Sequence, residues 1–81
     1  MIDKSILKYI PKQLQKNVVW ADKWKNEDTG KGFYYCIAFE FDGEPSNEDG
    51  KNGYTCYNCI GVDDIKWYCK QVLNGRRGCD W

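Results

Sequence analysis

The segment Tyr54-Thr-Cys-Tyr-Asn-Cys-Ile-Gly61 holds two cysteines, Cys56 and Cys59, separated by two residues. Two thiolates at that spacing on a tight turn can share a zinc ion, each at about 2.3 Å. The same spacing at a helix N-terminus inside a βαβ unit runs thiol–disulfide exchange. A structural zinc site needs four ligands, and the chain has no histidine. The metal reading therefore draws on Cys56, Cys59, Cys69 and Cys79, with Cys36 left over. Two features weigh against it. There is no second Cys-x-x-Cys, and Cys69 falls in register with Ile65, Val72 and Leu73, where a small buried thiol serves as core. The pair also lies in a strand-like stretch, away from any helix start. The expectation is five reduced thiols and no cofactor. The alternative is a zinc-stabilised module that binds nucleic acid.

Other catalytic chemistry is equally short of parts. Without histidine, the usual general base near neutral pH is absent, and a cysteine nucleophile lacks its usual partner. Carboxylates do occur in pairs, Glu40 with Asp42 and Asp63 with Asp64. Acid–base use would need one of them raised in pKa inside a cleft, and a chain of 81 residues has little room for one. Asp63 is better explained as a helix cap and Asp64 as a partner of the helix dipole. Residues 42–53 fail the calcium-loop pattern, because Asn47 or Asn52 stands where glycine is required. A non-catalytic protein is expected.

The charges balance at twelve basic and twelve acidic residues, so neither a polyphosphate binder nor a DNA mimic is indicated. They are nonetheless segregated. Residues 1–32 carry seven lysines and four acids, whereas Glu40 to Asp49 carry five acids and no base. Such local polarity suits docking on a protein. The start of the chain has no apolar run of signal-peptide length and no segment could span a bilayer, so a cytoplasmic location without membrane contact is expected.

The elements that position these residues follow from periodicity. Asp3 caps a first helix near 4–10, Pro11 interrupts it, and a helical turn near 11–16 follows, with Ile6, Leu7, Ile10 and Leu14 facing inward. A strand is expected near 18–24. Phe33, Tyr35, Ile37, Phe39 and Phe41 then fall on one face of a second strand, the strongest pattern in the chain. Residues 42–53 form an acidic loop rich in Gly, Pro, Asn and Ser. A third strand near 54–60 leads into a helix near 64–74, started by Asp63 and stopped by Gly75, and residues 75–81 form a tail. The whole is one α+β domain over residues 1–81, in the order α-β-β-β-α. It has a three-stranded antiparallel sheet with the helices on one face. Tyr34, Cys36, Ala38, Glu40 and Asp42 should then line an open face.

That order is shared with double-stranded RNA-binding domains, which grip phosphates with cations at the start of the second helix. Here those positions hold Asp63 and Asp64, and the family is set aside.

Two surfaces remain as candidates for binding. Thirteen aromatics, four of them Trp, are more than a two-layer domain of this size can bury. Trp, Tyr and Arg dominate binding energy at protein interfaces. The expected contact residues are Tyr34 and Cys36 on the open sheet face, with Arg76, Arg77 and Trp81 in the tail. Lys4, Lys8, Lys12 and Lys16 recur every fourth residue. They are expected, with Glu44, Glu48 and Asp49 of the acidic loop, to steer the approach. The resulting expectation is a protein-binding module of adaptor or inhibitor type, of the style of phage-encoded antagonists of host proteins, acting by steric blocking. An unpaired sheet edge would also allow two copies to pair as a homodimer.

Overall fold

The computed structural model describes residues 1–41, 53–79 and 81. Its elements are α1 (Lys4–Leu7), α2 (Lys12–Gln15), β1 (Val18–Lys25), β2 (Phe33–Phe39), β3 (Thr55–Ile60) and α3 (Val62–Leu73). The strands form one antiparallel sheet in the order β1-β2-β3, with β2 in the centre. The α-β-β-β-α order and the antiparallel sheet agree with the sequence reading. Among the described residues, no helix is long and apolar enough to cross a membrane.

Local chemistry sets most boundaries. The Asp3 carboxylate accepts from the backbone N–H and the hydroxyl of Ser5, capping α1. Pro11 separates α1 from α2. The β1–β2 connection is organised by buried Asn26, whose side-chain oxygen accepts from the N–H groups of Asp28 and Thr29 at 3.1 and 3.2 Å. At the other end of that hairpin, Glu40 N–H donates to Asn17 O, and the Asn17 amide donates back to Glu40 O. This clamp ends β2 at Phe39. Phe41, expected within the strand, lies beyond it but stays half-buried against the core.

The core sits on one side of the sheet. Tyr35, Ile37 and Phe39 of β2 meet Ile6, Ile10 and Leu14 from the N-terminal helices and Ile65, Tyr68, Cys69 and Val72 from α3. Phe33 shares the phase of these β2 residues but lies at the margin and is exposed, with the Lys23 Nζ 5.1 Å from its ring centre. Alternation along β2 therefore reads as expected where the helices reach it.

Helix α3 departs from expectation in three ways. It begins at Val62, and its N-cap is Gly61 at φ +87°, a backbone region open to glycine and costly for other residues. Asp63 is thus in the first turn and does not cap. Asp64 does the work at that end, accepting from Ile60 N–H at 2.9 Å and from the Tyr57 hydroxyl. Leu73, expected inside, is exposed, and Tyr68, not among the expected inner residues, is fully buried. The Tyr68 hydroxyl donates to Ile37 O at 3.0 Å, so the most deeply buried aromatic of α3 is bonded to the central strand.

Both sheet edges meet the chain's own ends. Asp3 N–H donates to Ala21 O and Ala21 N–H donates to Met1 O, which lays residues 1–3 along the middle of β1. Gly78 pairs with Thr55 in a parallel bridge on the outer edge of β3.

Replacing Tyr68 by Phe keeps the ring and removes the donor. It should cost about 1–2 kcal/mol, because a buried carbonyl loses a partner in a water-poor core. Urea titration should show a lower midpoint at an unchanged slope. An unaltered midpoint would show that the Ile37 carbonyl finds another donor.

Candidate functional site

The face of the sheet turned away from the helices carries a band of aromatic and thiol side chains. Its composition depends on one irregularity in β1. Val18 pairs with Phe39 and Trp20 pairs with Ala38, so the register shifts between Val18 and Trp20 and Val19 is an extra residue. A β-bulge of this kind reverses the in–out phase of everything that follows. Val18 faces the core, yet Ala21 does so too, and Trp20, Asp22 and Trp24 are sent to the opposite face.

The register then lines up three rows. Trp20 stands beside Ala38 and Cys56, Asp22 beside Cys36 and Asn58, and Trp24 beside Tyr34 and Ile60. Trp20 and Trp24 are 41% and 45% exposed and Ile60 is 66% exposed, which is unusual for side chains of this size. Trp24 and Tyr34 have their ring centres 6.0 Å apart. With Lys25, Glu27 and Asp28 they line a shallow depression at one end of the band. The Tyr34 hydroxyl donates to the Asp28 carboxylate at 3.2 Å. Desolvation, and then the nearby Asp28 charge, hold that hydroxyl above its ordinary pKa. Cys36 is half-buried, and its thiol is raised by burial first and then by Asp22 and Cys79. Ala38, expected to be open, is buried between larger cross-strand neighbours.

The expected contact residues divide between two places. Tyr34 and Cys36 lie on this band. Trp81 lies elsewhere, its ring centre 5.1 Å from Tyr68, 5.7 Å from Tyr57 and 5.9 Å from Trp67. The Arg76 guanidinium sits 4.1 Å above the Trp81 ring. Arg77 donates to Val72 O at the end of α3 and lies 3.9 Å from the centre of the Phe41 ring. Trp81 and Arg77 are thus half-buried and hold the tail to the body, whereas Arg76 is exposed. Trp20, Trp24 and Ile60 complete the band and were not among the expected contact residues. The bulge is why: plain alternation from Val18 sends both tryptophans inward.

Lys4, Lys8, Lys12 and Lys16 are all exposed, but they belong to two separate four-residue helices and their C-caps, with Pro11 between them. They do not line one continuous helix. Glu44, Glu48 and Asp49 lie outside the described residues.

The cysteines separate cleanly. Cys56 and Cys59 are three apart on β3 and so point to opposite faces, Cys59 into the core and Cys56 onto the band. Cys69 is buried beside Cys59, while Cys36, Cys56 and Cys79 are half-buried. The set Cys56, Cys59, Cys69 and Cys79 is not gathered at one point. Among the described residues no group of three or more Cys, Asp or Glu side chains is arranged to hold a metal ion.

No family model, no curated protein and no solved structure matches this chain.

Burial drives the Cys69 thiol from an ordinary 9.0 up to about 12 and raises Cys59 further in the same direction. The unfolded chain binds fewer protons than the native one between those values, so stability is full below about pH 9 and falls as pH rises towards 12. Each such group contributes at most about 1.4 kcal/mol per pH unit. Thermal unfolding should show this alkaline decline, and Cys69→Ala should flatten it. In the native chain at neutral pH, iodoacetamide should label Cys36, Cys56 and Cys79 and spare Cys59 and Cys69. Labelling of all five at one rate would contradict this burial pattern.

Proposed function

We propose that the protein is a non-catalytic binding module of adaptor or inhibitor type, which occupies a surface of a protein partner and blocks it sterically. One observation carries the proposal: Trp20, Trp24 and Ile60 stand exposed, with half-buried Tyr34 between the last two, on a sheet face that no helix among the described residues covers. Isolated apolar residues on a surface are ordinary, but the Trp24–Tyr34 pair with Ile60 beside it forms a cluster of the kind that marks an interaction site. Trp and Tyr bring large contact area at low entropic cost, which is why they dominate interface energetics.

The charges on the same face favour a protein over a nucleic acid. Asp22, Glu27 and Asp28 surround the Trp24–Tyr34 pair, with Lys25 as the cation of that depression. A phosphate backbone would meet carboxylates there. The β1 and β3 edges meet the terminal segments at Ala21 and Thr55, so the face offers more uncommitted surface than the edges do. The four exposed lysines of the N-terminal segment fit a role in long-range orientation, where charge alters association rate more than affinity.

The test is quantitative affinity capture from a lysate of the organism that encodes the chain, comparing wild type with a Trp24→Ala/Tyr34→Ala double variant. A protein captured by the wild type should be lost or reduced at least about tenfold with the variant, since anchors of this kind contribute about 2 kcal/mol or more. The variant's own stability should change by less than about 1 kcal/mol, because Trp24 is exposed, Tyr34 is half-buried and neither belongs to the core cluster. Equal capture by a folded double variant would remove the band as the binding surface.

A further inference from the structure

We propose that Cys56 and Cys79 form a thiol–disulfide exchange site, at which a low-molecular-weight disulfide such as oxidised glutathione converts the two thiols into an intramolecular bond that fastens the C-terminal tail to β3.

The argument begins with the register. Gly78 N–H donates to Tyr54 O at 3.1 Å, and Cys56 N–H donates to Gly78 O at 3.3 Å. Those two bonds place Gly78 opposite Thr55 in a single parallel bridge, and the Thr55 hydroxyl donates as well to Gly78 O at 3.0 Å. Cys56 and Cys79 each follow a residue of that bridged pair. A disulfide needs its Cα atoms about 4.4–6.8 Å apart, a span that residues one step past a bridged pair can meet. Both cysteines line one shallow depression, together with Tyr57, Asn58 and Trp81. Both are thiols and both are half-buried, so a small reagent can reach them.

The other thiols are placed less well. Cys36 pairs with Asn58, which makes it a diagonal neighbour of Cys56 at about 7–8 Å, past the bridging limit. Cys36 does lie close enough to Cys79 for each charge to influence the other, so it is the competitor to exclude. Cys59 and Cys69 are buried in the core, out of reach of any reagent that requires a folded chain.

The chemistry balances in two exchanges. The Cys56 or Cys79 thiolate attacks one sulfur of oxidised glutathione, forming a mixed disulfide and releasing one glutathione thiolate. The neighbouring cysteine, losing its proton to solvent, then attacks the protein sulfur of that mixed disulfide. The Cys56–Cys79 bond forms and the second glutathione leaves as thiolate. The two cysteines are oxidised by two electrons, and the glutathione disulfide is reduced to two thiols.

The consequence lies in the tail. Trp81 packs on the Tyr57 and Tyr68 rings while Gly78 is held to β3 by backbone bonds, and its indole N–H itself donates to Gly78 O. A covalent bond one residue away makes that docking permanent. In the thiol form the tail depends on the ladder bonds and the aromatic contacts alone.

The test treats the native full-length chain with oxidised glutathione, quenches with acid, and maps the peptides without reduction. The expected product is lighter than the thiol form by two hydrogens and contains one linkage, Cys56 to Cys79. The Cys36→Ser variant should give the same linkage. The Cys79→Ser variant should stop at a glutathione adduct on Cys56. Thermal unfolding of the oxidised wild type should rise by about 5–15 °C, as expected for a closed loop of this size. A linkage through Cys36, an adduct that persists in the wild type, no reaction of the native chain, or an unchanged Tm after bonding would each overturn the proposal.

Discussion

The fold turns on the contact between Tyr68 and the central strand. β2 is hydrogen-bonded on both sides, so its position is fixed by the sheet, and its inner residues Ile37 and Phe39 are fully buried. Helix α3 must be held to that strand at a defined height and rotation. The Tyr68 ring packs 5.5 Å from Phe39, and its hydroxyl reaches the Ile37 carbonyl. A ring alone would allow the helix to slide, whereas a buried hydroxyl leaves only positions in which it is paired. Every described buried side-chain nitrogen or oxygen has a partner, as a core this small requires. From this contact follow the burial of Cys59 and Cys69 and the seat for Trp81, and the described helices all pack on this side of the sheet.

That second face is where the aromatic excess of the sequence is spent. The core takes Tyr35, Phe39 and Tyr68 in full and Tyr57, Phe41 and Trp81 in part. Trp20 and Trp24 stay outside because the bulge at Val19 turns them there. The bulge thus serves two ends at once. It lets Val18 and Ala21 both face inward, which suits the narrow space beneath α1, and it gives the outer face two large rings. A strand without the extra residue would bury the tryptophans where only an alanine now fits.

Much of this could be read from residue order alone, and the unread part has identifiable causes. The β2 pattern was plain because five large side chains alternate without interruption, and its burial follows wherever the helices cover it. The Asp3 cap and the stop at Gly75 rest on short-range chemistry and were equally legible. Tyr68 is harder to read because tyrosine is amphipathic, and periodicity cannot show that a carbonyl waits to receive its hydroxyl. Asp63 reads as the cap and is not one, since which carboxylate reaches back to Ile60 depends on where the preceding glycine turns. The bulge left no sign in hydrophobicity, for Val18, Val19 and Trp20 are all apolar. The faces of Cys56 and Cys59 follow from strand geometry once the strand is granted, and a tight turn would have put them together.

The two chain ends explain why the face, and not the edge, is the surface left over. A three-stranded sheet has two edges, and an unpaired edge invites another strand. Here residues 1–3 bond along β1 at Ala21, near its middle, and Gly78 bonds to β3 at Thr55, its first residue, so the chain itself interrupts one edge and covers the start of the other. Both plugs are short and are secured from outside the ladder, the first by its continuation into α1, the second by Trp81 and Arg77 gripping the body. Side-chain anchoring of the tail is thus part of how the sheet avoids promiscuous pairing. It also means that Trp81 and Arg77 are partly committed to holding the molecule together, whereas Trp20, Trp24 and Ile60 stay exposed among the described residues. A residue that must be kept for stability and one that is free for contact can look alike in sequence, and the difference lies in which of them the fold has already given a partner.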